Sequence, residues 1–131
     1  MPLQHLGISE RARVTVKARP RDNATNLLLC AGERYLFDAQ GAWRDAFVSC
    51  DANGWESALY KPFKGSRRKP AFRWLALIGY LKGHSDNAFL IGSYREHQCA
   101  HEGELVCYAN DAESMYWNNF GSIELTVTRT A

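Results

Sequence analysis

The sequence predicts an all-β fold, two antiparallel sheets packed as a sandwich, on three observations. Short segments alternate apolar and polar residues with the period of two that a half-buried strand requires. Turn-forming residues interrupt these segments at short intervals. No segment shows sustained helical periodicity with start and stop signals.

The elements follow in order. Ala12 to Ala18 sets Val14 and Val16 two apart among polar neighbours, and Arg19-Pro20-Arg21-Asp22-Asn23 ends that strand as a turn. Asn26 to Cys30 is a short apolar run broken by Ala31-Gly32. Glu33 to Ala39 alternates, with Tyr35, Phe37 and Ala39 on one face. Asp51-Ala52-Asn53-Gly54 lies within Ala46 to Trp55, and Asn-Gly is a strong turn signal because both residues accept positive φ. Lys61 to Pro70, with two prolines and a glycine, reads as an exposed loop. Phe72 to Leu81 is the longest apolar stretch, and its Gly and aromatics favour a buried strand over a helix. A turn at Gly83 to Asn87 leads to Ala88 to Ile91, and Glu104 to Ala109 is a further strand. Gly121 to Arg129 is the clearest, with Ile123, Leu125 and Val127 facing one way and Glu124, Thr126 and Thr128 the other.

Composition bounds the function. A chain of 131 residues suits one domain, 1–131, with interior enough for a core without staples. A formal charge of +2 argues against a dedicated nucleic-acid binder. Charge is unevenly placed: six cations and no acid from Lys61 to Arg73, five acids and no Lys or Arg from Glu96 to Glu113. The basic run reads as a solvated loop before it reads as a phosphate or sulfate contact. No apolar run is long enough to cross a bilayer, and Met1 to Glu10 lacks the apolar core of a secretory signal. The expectations are synthesis ending in the cytoplasm, no membrane insertion, and Cys30, Cys50, Cys99 and Cys107 as reduced thiols, with any export route unreadable.

Catalytic patterns are missing: no Gly-x-Ser-x-Gly elbow, no phosphate-cradling glycine loop, no His-Glu-x-x-His. His84-Ser85-Asp86 has triad residue types, but adjacent positions in one turn do not assemble a triad. His97, Cys99 and His101 would share a face if extended, yet they lack zinc-loop spacing and read as a polar edge or loop segment with one partly buried Cys. The expectation is a protein that is not an enzyme.

The chemically loaded stretch is Asn110 to Ser122. Asp111 offers a carboxylate, Asn118 and Asn119 neutral oxygens, and an irregular loop offers main-chain carbonyls, a set suited to calcium. A single carboxylate leaves the ion short of charge and ligands, which suits open positions filled by hydroxyls. On spacing alone a polar hairpin turn is the commoner explanation of such residues.

The order Asn110-Asp111, then Asn118-Asn119, then Gly121-Ser122, with Tyr116 between, resembles the C-terminal loop of the galactophilic calcium-dependent lectins typified by the Pseudomonas galactose lectin. Upstream, Thr25 to Leu29, Gly32 to Gly41, Asn53-Gly54 and Trp74 to Gly83 are collinear with that family. The resemblance implies a jelly-roll-like β-sandwich lectin that holds galactose or a related sugar through bound Ca2+. It also implies homo-oligomers. It implies calcium ligands at Asp111, Asn118 and Asn119, with main-chain carbonyls at Met115 and at or near Asp45. Asp111 and Asn118 would also contact the sugar. The family's His and Gln sugar contacts have no counterpart in Trp55 to Pro62, while Trp117 and Phe120 replace small residues and make Trp117 a candidate sugar platform. The alternative reading is a lectin-fold accessory or protein-interaction module that has lost sugar binding.

Overall fold

A computed structural model describes residues 2–131. Eleven strands run β1 Gln4–His5, β2 Arg11–Lys17, β3 Asn23–Leu29, β4 Arg34–Gln40, β5 Trp43–Asp45, β6 Val48–Cys50, β7 Leu77–Leu81, β8 Phe89–Leu90, β9 Tyr94–Gln98, β10 Gly103–Ala109 and β11 Asn119–Arg129. They form two sheets. One has the order β1-β3-β10-β7-β8; the other has β6-β5-β11-β4-β9, with β2 also paired to β11. Pairings among the described residues are antiparallel except for the two-residue parallel contact of β1 with β3. The fold is thus the two-sheet antiparallel sandwich that the alternation implies.

The inner faces meet in one core. Tyr35, Phe37 and Ala39 of β4 and Ile123, Leu125 and Val127 of β11 are buried there, against Leu27 and Leu29 of β3 and Leu105 and Cys107 of β10. Each buried Leu, Ile, Val or Phe removes enough apolar surface to stabilise the fold by roughly 1.5–3 kcal/mol before entropy is counted. The outer face of the β3-β10-β7 sheet is covered as well: Ile78 and Tyr108 pack with Phe72 and Tyr80. The Arg68 guanidinium lies 3.5 Å from the Tyr108 ring centroid.

Three points of the sequence reading are corrected or completed. The Phe72 to Leu81 stretch is a strand only over Leu77–Leu81. Before it the chain turns through Leu75, whose φ of 55° no strand accommodates. Its apolar residues are buried on different faces, Leu75 and Leu77 in the inter-sheet core and Ala76 and Ile78 outside it. Second, Tyr94–Gln98 is a strand; it pairs on β4 and is mostly exposed, so no alternation marks it. Third, the basic run is not wholly solvated. Ala58–Ser66 forms consecutive 3-10 turns with no buried residue, but Arg67 is buried and Arg68 pairs with Asp22 at 2.9 Å. No helix among the described residues is long and apolar enough to cross a membrane.

Candidate functional site

β10 ends at Ala109 and β11 begins at Asn119; the chain between them crosses one end of the sandwich through 3-10 turns at Glu113–Asn118. Asn110, Asp111 and Asn119 are buried, an unusual density of polar groups for so short a segment. Asn110 is accounted for structurally. Its Oδ1 accepts from Lys69 N at 2.9 Å, and its Nδ2 donates to the carbonyls of Lys69, Phe72 and Arg73 at 3.0, 3.1 and 3.0 Å. It clasps the basic segment against the sheet. Tyr116 does similar work, its hydroxyl donating to Ala109 O at 2.6 Å.

Asp111 is different. Its Oδ1 accepts from Ala112 N at 2.8 Å, while its buried Oδ2 has no hydrogen-bond partner. Asn119 Nδ2 donates to Ala18 O at 3.2 Å, leaving its own Oδ1 for other contacts. The position of Asn118 Oδ1 lies 3.1 Å from Asp45 Oδ1, 2.5 Å from the Met115 carbonyl and 3.2 Å from Asn119 Oδ1. With its amide turned so that Nδ2 faces these oxygens, Asn118 donates to them and the cluster is satisfied without an ion; with Oδ1 inward the same oxygens would suit a cation.

Asp45 enters this cluster through strand register. Asn119 opposes Asp45 where β11 pairs with β5, and Ala46 N donates to Asn118 O at 2.8 Å. The sequence reading assigned position 45 a main-chain carbonyl; the atom facing Asn118 is a carboxylate oxygen. The cluster therefore carries two carboxylates rather than one. Burial first, then the charge of Asp111, push the Asp45 carboxyl up to about 6. Burial also raises the Asp111 carboxyl, against the Ala112 N–H and the neighbouring Asn119 amide, which lower it. Two desolvated carboxylates facing neutral oxygens are the environment a divalent cation reverses. Asp111, Asn118, Asn119, Met115 and Asp45 thus fit calcium by donor type and convergence.

The same residues border a cleft of about 450 Å³, to which Asp45, Asp111, Met115 and Asn118 contribute beside Trp55, Tyr60, Phe63 and Trp74. Trp55 and Trp74 exchange main-chain hydrogen bonds of 2.8 and 3.0 Å, and their rings stack at 6.1 Å. Tyr60 meets Trp55 edge-on at 5.5 Å. Gly54 permits this approach. Its φ is +79°, and a Cβ there would stand 2.4 Å from Trp74 O and 2.7 Å from Ala76 N. Below, Arg67 stacks on Trp74 at 5.1 Å and pairs with Glu56 at 3.0 Å. Both indole N–H groups are buried without an acceptor.

Trp117 is not among the residues lining this cleft; its ring is exposed and its carbonyl accepts from Arg19 Nη2 at 2.8 Å. Phe120 lies between Arg19 and Arg44, at 5.1 and 4.8 Å from their guanidinium carbons. The sequence reading missed the ring set. Trp74 looks committed to a strand, and Trp55 reaches it only through the folded bridge. The signal that could have found the wall is Phe47, Trp55, Tyr60 and Phe63 recurring in a turn-rich stretch without strand alternation.

The other sequence constellations stay apart from the cleft. His97 packs on Phe89 at 3.8 Å and His101 on His84 at 4.1 Å, with no three-ligand group formed between them and Cys99 among the described residues. Cys99 is buried, and that burial, ahead of the Glu33 and Cys30 charges, raises its thiol to about 11, so it stays protonated at neutral pH and is a poor nucleophile.

No family model and no curated protein matches the chain. Among solved structures the chain is similar to one described as the N-terminal domain of EclA, a PllA-like lectin. The TM-score is 0.66 at 19% identity, covering 89% of this chain and 94% of that one. The likeness is one of fold: the chain has a two-sheet β-sandwich like that of the PllA-like lectin domain.

Proposed function

We propose that this protein is a calcium-dependent carbohydrate-binding protein, with galactose or a related sugar held over an ion at the floor of the Trp55–Trp74 cleft. The observation that carries the proposal is the convergence of Asp45 Oδ1, Asn119 Oδ1 and the Met115 carbonyl on the Asn118 amide, beside an unpartnered buried Asp111 Oδ2. Asp111, Asn118, Asn119, Met115 and Asp45 would hold the ion, the two carboxylates matching its charge. Calcium takes six to eight oxygens, so this set leaves positions for the hydroxyls of a sugar diol.

The chain's own groups supply the remainder. Asp111 and Asn118 accept from and donate to the same hydroxyls. The faces of Trp55 and Tyr60 offer apolar surface to the C–H face of a pyranose. Calorimetric titration of chelator-treated protein with calcium, followed by a panel of galactosides, tests the reading. One calcium per chain and sugar binding only in its presence are expected, both lost in Asp111→Asn. A protein that binds no calcium at millimolar concentration sinks it.

A second reading, a lectin-fold module serving a protein partner, is favoured by one observation. Phe47 is fully exposed, and Phe63 and Met115 are substantially exposed around the same cleft. Apolar side chains gathered at one rim mark interaction surfaces. Silence on a glycan array despite stoichiometric calcium would select this reading. Self-association through the rim would convert weak single-site sugar binding into avidity.

A further inference from the structure

At the far end of β11 lies a second cluster with different chemistry. His5 of β1, Cys30 just after β3 and Glu33 just before β4 bring an imidazole nitrogen, a thiol and a carboxylate within 4.8 Å of one another. His5 Nε2 is 3.7 Å from Cys30 Sγ and 3.0 Å from each Glu33 carboxylate oxygen. We propose that His5, Cys30 and Glu33 form a binding site for a zinc-class transition-metal ion, separate from the calcium cleft.

Three features support this. The first is spacing. Tetrahedral zinc with bonds of about 2.0–2.3 Å to N, O and S sets its ligand atoms about 3.3–3.6 Å apart. The His5–Glu33 and His5–Cys30 separations of 3.0 and 3.7 Å bracket that range, and all three ligand atoms lie within 4.8 Å of one another. The second is donor type. One thiolate and one imidazole favour zinc, cobalt or copper over calcium or magnesium, which choose oxygen. Three protein ligands also leave a fourth position for water or an outside ligand.

The third is the surrounding shell. Arg129 Nη2 holds Glu33 Oε2 at 3.0 Å, and the Tyr35 hydroxyl donates to Glu33 Oε1. These contacts fix the carboxylate, and each oxygen keeps a lone pair for a metal. Metal binding to a cysteine displaces the thiol proton, so Cys30 would ligate as the thiolate. β11 carries Asn119 at one end and Arg129 at the other, about 30 Å apart along an extended strand, so the two sites do not share ligands.

The ion would tie the two-residue strand β1, held by Gln4 and His5 opposite Leu27 and Leu28, to the β3–β4 turn. The test uses the full chain, chelator-treated and kept reduced, titrated with cobalt(II) and with zinc. One cobalt per chain with a thiolate-to-cobalt absorption band is expected, the band being discharged by zinc. Cys30→Ser should remove the band, and both Cys30→Ser and His5→Gln should weaken zinc binding by about tenfold or more. Asp111→Asn and His101→Gln should change neither. Absence of a thiolate band in the unaltered protein overturns the proposal, as does a band or affinity unchanged in Cys30→Ser. If Cys30→Ser does not fold, His5→Gln at the exposed His5 decides: unchanged zinc affinity overturns the site, and a loss of about tenfold upholds it.

Discussion

Asn110 and Asp111 are adjacent and both buried, yet their roles divide at the level of single hydrogen bonds. Asn110 spends its polar atoms on Lys69, Phe72 and Arg73, whereas Asp111 keeps one oxygen unspent. Replacing Asn110 by Ala strands the Lys69 N–H and three carbonyls. The expected cost is about 3 kcal/mol, read as a lower urea midpoint, with calcium stoichiometry unchanged. Asp45 yields a pH prediction for the calcium-free protein. Burial first and Asp111 second raise its folded-state value to about 6, above the ordinary carboxylate value of 3.8. A raised acid holds its proton longer in the folded state than in the unfolded one. Its contribution to stability is therefore fully present below the unfolded value and lost as pH rises through about 6. Chelator-treated Asp45→Asn should lack this part of the decline between pH 4 and 6, a difference visible in thermal unfolding at a series of pH values.

At the scale of elements, the turn at Asp51 to Gly54 governs the cleft. Gly54→Ala would place a methyl against Trp74 O and Ala76 N in a left-handed conformation. It should cost about 2–3 kcal/mol and weaken the proposed sugar binding more than the proposed calcium binding, because it separates Trp55 from Trp74 and leaves the β10–β11 loop in place. What the sequence disclosed follows the same division. β4 and β11 were legible because each puts one face in the core and the other toward solvent, so Tyr35 and Phe37, or Ile123 and Leu125, alternate with polar residues. β9 was not, since Tyr94 to Gln98 is an edge strand that buries little on either face. The oxygen donors from Asp111 to Asn119 were legible because they are contiguous. The Asp45 side chain and the aromatic wall were not, because β5–β11 pairing and the Trp55–Trp74 bridge join residues remote in sequence.

For the whole molecule, the deciding feature is how the two sheets share the chain. Both contain strands from either side of Ala58–Ser66: β3 lies beside β10, and β11 lies against β2, β4 and β5. That intervening stretch has no buried residue and carries Lys61 and Lys64 in the open. Trypsin at low concentration should cut there first, and the nicked product should elute from a sizing column as one species until denaturant is added. Separation of the halves in native buffer would contradict the topology. The interleaving has a practical consequence: residues 1–60 and 67–131, made as separate polypeptides, should find each other and rebuild the sandwich, so that recovery of native fluorescence on mixing becomes a reporter of two molecules brought together.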